Sequence, residues 1–148
     1  MRKMKIPQYL HDWVIVIAED DPDSLRIITL LLEKAGATVI ATPDGQMGLE
    51  AIQKEKPRLV VSDLSMPHVD GYTLLKKIAD HPDLTTIPVI ALTAHAMEGD
   101  RERTLEVGFK GYISKPVNPA TFYSELYTIL ENIPSLSEAL KASQPNAD

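Results

Sequence analysis

A chain of 148 residues, 44% apolar and 24% charged, is sized and composed for one domain with a single sizeable core. Its net charge of −6 argues against direct nucleic-acid binding by the whole chain, and the lack of cysteine excludes disulfides, thiol chemistry and cysteine-type zinc sites. No apolar run approaches the roughly 20 residues of a membrane-spanning helix. The basic start Met1-Arg2-Lys3-Met4-Lys5 leads into no apolar signal core, so no membrane insertion and a cytoplasmic location are expected.

Residues 1–12 show no period and are expected to form an arm, with Tyr9 and Leu10 the residues able to pack. The run Trp13-Val14-Ile15-Val16-Ile17-Ala18 is short, continuous and β-branched, which predicts a strand buried on both faces. It ends in Glu19-Asp20-Asp21. Asp21-Pro22-Asp23 then supplies an N-cap, a first-turn proline and a dipole-compatible acid, with Leu25, Ile28 and Leu32 as the apolar stripe and Gly36 as the stop.

The same grammar repeats along the chain. Residues 38–41 predict a second strand, and Thr42-Pro43-Asp44 a helix start with Met47, Ala51 and Ile52 inward and Pro57 as the end. Residues 59–63 form the third strand, closing on Asp63; Asp70-Gly71 opens a helix with Leu74, Leu75 and Ile78 apolar, ended by His81-Pro82. Residues 87–92 predict the fourth strand, stopping at Thr93-Ala94. The fourth helix, 97–107, is heavily charged and weakly amphipathic, with Gly108 as its stop. Residues 110–114 predict the fifth strand, ending at Lys115-Pro116. Asn118-Pro119 caps a last helix with Phe122, Leu126, Ile129 and Ile133 on one face. Pro134 is expected to end the globular part, leaving 134–148 as a polar tail with at most a loose turn at 136–140. The expected organisation is an arm over 1–12, a domain over 13–133 and the tail.

Five strands alternating with five helices imply right-handed crossovers and a parallel sheet covered on both faces, an α/β doubly wound (βα)5 fold. Parallel strands share one carboxyl-end edge, where such sheets bind ligands. There the strands bring Glu19 and Asp20, Asp63, Thr93 and Lys115 together. Like charges about 4 Å apart cost roughly 4 kcal/mol per pair at an effective dielectric near 20, so three acids call for a cation. An all-oxygen, partly hydrated site favours Mg²⁺, which often carries a phosphate, and Lys115 and Thr93 suit the phosphate's remaining oxygens.

The arrangement resembles the CheY-like receiver domain of two-component response regulators over roughly residues 13–133. The matching pieces are Glu19-Asp20; Ser62-Asp63-Leu64-Ser65-Met66-Pro67-His68-Val69-Asp70-Gly71; Ala91-Leu92-Thr93-Ala94; and Gly111-Tyr112-Ile113-Ser114-Lys115-Pro116. Each piece is weak alone, but their order is specific, with 30 residues from Asp63 to Thr93 and 22 from Thr93 to Lys115. The resemblance implies a flavodoxin-like strand order 2-1-3-4-5. It makes Asp63 the phosphoacceptor, taking a phosphoryl group from the phosphohistidine of a sensor histidine kinase or histidine phosphotransfer protein. It implies Mg²⁺ held by Asp20, Asp63 and the Ser65 carbonyl, with Glu19 acting directly or through water, and phosphoryl contacts from Thr93 and Lys115. Tyr112 matches the switch aromatic, coupled to Thr93, and Lys115-Pro116 the family's cis peptide. Ser65 and His95 match positions that modulate phosphoryl lifetime. The fourth helix, fifth strand and fifth helix would meet a downstream protein effector.

Other readings of the same residues stand beside these. Asp21 reads as a helix N-cap before a metal ligand. Tyr112 could be core packing, His95 an exposed loop residue, and His11, His68 and His81 lack metal-ligand spacing. The 95–100 region is similar both to single-domain regulators of the cell-cycle DivK type and to receivers of hybrid kinases, so a stand-alone regulator and an excised receiver are both open. A Mg²⁺-dependent aspartyl phosphohydrolase would want a second acid where Ser65 stands. A flavodoxin-like electron carrier would want a phosphate-cradling loop where Glu19-Asp20-Asp21 would repel one, and a degenerate receiver would lack site residues that are all present here. The expectation is a signalling module, with self-catalysed phosphotransfer and autodephosphorylation only.

Overall fold

The computed structural model describes residues 8–94 and 98–143. Five parallel strands, β1 (Val14–Ala18), β2 (Thr38–Thr42), β3 (Leu59–Asp63), β4 (Val89–Thr93) and β5 (Gly111–Ser114), form one sheet in the order β2-β1-β3-β4-β5. Helices α1 (Pro22–Lys34), α2 (Gly45–Glu55), α3 (Gly71–Asp80), α4 (Glu98–Glu106) and α5 (Pro119–Glu131) connect and follow the strands. The central β3 and β4 are buried at every position, which is why they read as unbroken apolar runs, whereas the edge strands β2 and β5 are partly exposed.

The helix boundaries follow local chemistry. Asp21, Asp44 and Asp70 cap α1, α2 and α3, each side chain accepting a backbone N–H of the first turn, and Asn118 does the same for α5. Gly36 and Gly108 carry φ of 105° and 119° just past α1 and α4, conformations that a side chain would disfavour.

The sheet divides the core in two. On one face Ile15, Ile17, Val61, Ile90, Leu92 and Ile113 meet Ile28 and Leu32 of α1 and Phe122, Leu126 and Leu130 of α5. On the other, Val16, Val60, Val89 and Ala91 meet Leu49 and Ile52 of α2, Leu74 and Ile78 of α3, and Phe109. Met47, expected inward on α2, is 48% exposed, and Leu49 takes the buried position with the close-packed Gly48. Leu49 and Ile52, three residues apart, share the face of α2 that meets the core, and Met47 lies off it.

The chain ends differ more from expectation. Where a polar tail was expected, Pro134 opens a sixth helix, α6 (Pro134–Ser143), as a proline can at a first turn whose N–H groups have no intrahelical partner. Leu136 and Leu140, one turn apart, are buried in the core with Ile133. Opposite them, Tyr9, Leu10 and Trp13 are also buried. The Tyr9 hydroxyl donates to the Tyr123 carbonyl at 2.9 Å and the Tyr123 hydroxyl to the Leu31 carbonyl at 2.8 Å, joining arm, α5 and α1. The Tyr9 and Tyr127 rings meet edge to face at 5.3 Å. Burial, with the neighbouring Tyr123 and Tyr127, pushes the Tyr9 hydroxyl pKa well above its ordinary value. The packed body thus includes parts of both expected appendages.

Because Leu140 is fully buried, Leu140→Ala should cost about 2–5 kcal/mol in urea unfolding. Lys141→Ala, on the exposed side of the same helix, should leave stability nearly unchanged. Equal, negligible effects from both would mean that α6 does not pack in solution.

Candidate functional site

Strand register builds the site. β1 and β3 pair with Ala18 level with Ser62, so the next residues, Glu19 and Asp63, leave the sheet side by side. β3 and β4 pair with Asp63 level with Leu92, and β4 and β5 with Thr93 level with Ser114, which sets Thr93 and Lys115 at the same edge. The Lys115 N–H donates to the Thr93 carbonyl at 2.8 Å, and the Lys115–Pro116 bond is cis, as the family resemblance implied.

The Lys115 ammonium stands between two acids, 2.7 Å from Glu19 Oε1 and 3.1 Å from Asp63 Oδ2. Glu19 is fully buried and Asp63 nearly so, while Asp20 is exposed. Burial, reinforced by the Asp63 carboxylate and opposed by Lys115, pushes the Glu19 carboxyl up to about 7. Burial would raise Asp63 too, but hydrogen bonds with Glu19, Lys115 and the Ser65 N–H hold it below its ordinary value. Lys115 is raised, the pull of its two acids outweighing its own desolvation. Of the two carboxyls, Glu19 is thus the more readily protonated and Asp63 the more readily ionised.

Oxygens of Glu19, Asp20 and Asp63 lie within 4.8 Å of one another. An octahedral Mg²⁺ shell is about 4.2 Å across, given oxygen ligands at roughly 2.1 Å. The donor chemistry and spacing therefore fit a hard divalent cation. Asp21 is not part of this group; it caps α1, accepting from the Ser24 N–H at 3.1 Å and the Ser24 hydroxyl at 2.7 Å, bonds that lower its pKa.

The loop after β3 is held close to the acids. Asp63 Oδ1 accepts from the Ser65 N–H at 3.2 Å, Met66 is buried, and the Gly71 N–H donates to the Leu64 carbonyl at 3.0 Å. A Cβ on Gly71 would sit 2.4 Å from the Asp63 carbonyl oxygen, and one on Gly45 only 2.2 Å from that of Val69. These two contacts clamp the loop from α3 and α2. Gly71 was legible as a helix start and as the last residue of the Ser62–Gly71 stretch, but not as a point of close approach to the Asp63 carbonyl. His68, read as surface, lines a cleft of about 640 Å³ with Asp20, Asp44 and Gln46 beside the acids.

Thr93 is buried at the end of β4. Tyr112 lies opposite Ala91 on the same sheet face as Thr93, half-buried, and lines a second groove of about 520 Å³ between α4, β5 and α5. The structure thus brings together Glu19, Asp20, Asp63, Ser65, Thr93 and Lys115, and sets Tyr112 one groove away. His95 lies outside the described residues.

Comparison with known proteins places this geometry in a family. Residues 15–127 match the response regulator receiver domain. An uncharacterised 14.6 kDa protein of Leptolyngbya boryana is 40% identical over 112 residues, covering 76% of this chain and 86% of that one. The polar-differentiation response regulator DivK of Brucella anthropi is 34% identical over 116 residues, covering 78% and 94%. Among solved structures, the receiver domain of the Pseudomonas aeruginosa sensor histidine kinase PA1611, with magnesium coordinated in its active-site cleft, is similar at a TM-score of 0.71 and 30% identity, covering 82% of this chain and 97% of that one. With its 2-1-3-4-5 sheet and its matched length, the chain belongs to the CheY-like response regulator receiver domain family.

Proposed function

We propose that this receiver works as a phosphoacceptor switch, with Asp63 as the residue phosphorylated. The observation that carries this is the Lys115 ammonium bridging Glu19 and Asp63 beside a third acid, Asp20, at the carboxyl edge of the sheet. Receiver domains are signalling proteins that meet histidine kinases or phosphotransfer proteins and effectors, and such a donor is the proposed source of phosphoryl groups here.

In the transfer, an Asp63 carboxylate oxygen attacks phosphorus. The O–P bond forms as the N–P bond of the donor's phosphohistidine breaks, and the imidazole leaves with the electron pair and takes up a proton from solvent. The low pKa of Asp63 keeps its carboxylate ionised and nucleophilic at neutral pH. Lys115 and the Thr93 hydroxyl would meet the phosphoryl oxygens. Mg²⁺, held by Glu19, Asp20, Asp63 and the Ser65 carbonyl, would neutralise charge on the transferring group. Ser65, and His95 by its sequence position, would tune how long the phosphoryl group survives. Tyr112 would carry the change to an effector bound along α4, β5 and α5. No described helix is long and apolar enough to cross a membrane, in keeping with a proposed cytoplasmic site of action.

Incubation with Mg²⁺ and acetyl phosphate should add one phosphoryl group to the intact mass. The gain should be absent in Asp63→Asn and abolished by chelator. No gain in a protein shown to be folded would sink this reading.

Attack also depends on where the loop after β3 holds Asp63. Gly71→Ala drives a methyl into the Asp63 carbonyl, so the loop must shift. The expected result is a loss of about 1–3 kcal/mol in unfolding, the range for overpacking, together with slower phosphoryl uptake by the fraction that folds. Uptake at the wild-type rate would show that the close approach does not position Asp63.

A further inference from the structure

The fourth helix is held to the domain in an unusual way. Of its side chains from Arg101 to Glu106, only Thr104 is buried; Leu105 is 44% exposed and Val107, just beyond the helix, 48%. Among these described side chains no apolar stripe moors the helix, whereas α1, α2, α3 and α5 each bury two or more apolar or glycine positions.

Two arginines lie against aromatic rings instead. The Arg101 guanidinium carbon lies 5.3 Å from the Tyr112 ring centroid on β5, and that of Arg103 lies 5.9 Å from the ring of Tyr72 on α3. Residues two apart leave a helix on different flanks, so the pair ties α4 to both neighbours. The two rings differ in their surroundings. Tyr72 is braced edge-on by Phe109 at 5.8 Å. Tyr112 pairs with the small Ala91, which stands two residues before Thr93 on the same sheet face, and its half-buried ring lines the groove between α4, β5 and α5. If the ring turned inward, the guanidinium could not follow, because an arginine charge taken into the apolar interior without a partner is strongly disfavoured.

We propose that Arg101 is a latch on Tyr112. Its cation–π contact holds the ring outward and α4 docked, and inward movement of the ring releases this contact while Arg103–Tyr72 keeps α4 tethered. Arg101 is a positioning residue that makes phosphorylation of Asp63 readable as a loosening of α4. The inference rests on the phosphoacceptor reading for its trigger, but the latch exists in the unphosphorylated protein and can be tested there.

The test is amide hydrogen exchange over residues 98–107 in full-length protein, with and without Mg²⁺ plus beryllium fluoride, a mimic of an acyl phosphate. Loss of one exposed cation–π contact corresponds to about a two- to five-fold change. In Arg101→Gln without the mimic, exchange should rise by about that factor. Tyr112→Leu should do the same, whereas Tyr112→Phe, which keeps the ring, and Arg101→Lys, which keeps a cation, should stay near wild type. By linkage, Arg101→Gln should also bind the mimic more tightly by the factor through which it releases the latch, while Arg103→Gln should raise exchange in both states and leave mimic affinity unchanged. Wild-type exchange in both Arg101→Gln and Tyr112→Leu would overturn the latch, as would equal mimic affinities in Arg101→Gln and Arg103→Gln. Should the wild type fail to bind the mimic, the phosphoacceptor reading fails separately, and exchange in the variants without mimic still decides the contact.

Discussion

The site depends on one cation standing between two acids withdrawn from water. Glu19 and Asp63 leave neighbouring strands at the same level, and both are buried. Two such charges about 4 Å apart repel by roughly 4 kcal/mol at an effective dielectric near 20, before desolvation is counted. Two compensations are visible. Lys115 reaches both carboxylates, and Glu19 is pushed up to about 7, so that near neutral pH it shares its burden with a proton. Asp63 is thereby left as the ionised partner. The same three groups differ in charge state: a buried acid whose pKa is raised, a second acid held ionised, and an ammonium that reaches both.

That arrangement is a consequence of parallel topology, which is why much of it was legible in the sequence. Alternating strands and helices force every strand's carboxyl end to one edge, so an acid, a hydroxyl or a lysine at the end of an apolar run is also a statement about position. Glu19, Asp63, Thr93 and Lys115 were readable on that basis. The caps Asp21, Asp44, Asp70 and Asn118 were readable because each precedes a first helical turn. What escaped depends on contacts between distant segments. Leu136 and Leu140 are a two-residue stripe in a polar stretch, too short to signal a packed helix until α5 and the arm supply the other wall. Gly71 and Gly45 look like ordinary helix-start glycines, and only the folded loop shows what a Cβ would strike. Met47 was expected inward, but the face of α2 that meets the core is the one Leu49 and Ile52 share.

The two sides of the sheet are also tied together differently. On the α1–α5 face the core runs on into the arm and α6, and the Tyr9 and Tyr123 hydroxyls join three segments through backbone carbonyls. A contact from either ring to a main-chain oxygen resists sliding as well as separation, because hydrogen bonds have direction where apolar packing has little. The other face is well packed under α2 and α3, while among the described side chains of α4 only Thr104 is buried. Regions with few buried apolar contacts are those that open at least cost.

This asymmetry bears on what any ligand at Asp63 can accomplish. Moving a two-state equilibrium from 1:99 to 99:1 takes about 5.5 kcal/mol of differential binding, and every contact broken in the transition is drawn from that amount. A helix moored by two or three buried leucines would consume roughly 1.5–3 kcal/mol for each one exposed. The two arginine–tyrosine contacts of α4 are each worth about 0.5–1 kcal/mol at exposed sites, and releasing one leaves most of the driving free energy for the site itself. Tyr112 is the ring shared by the Arg101 contact and by the sheet face that carries Thr93. On the proposed reading, and among the described residues, a displacement near Asp63 would meet fewer buried apolar contacts along β5 and α4 than along α1, α5 and the segments that brace them.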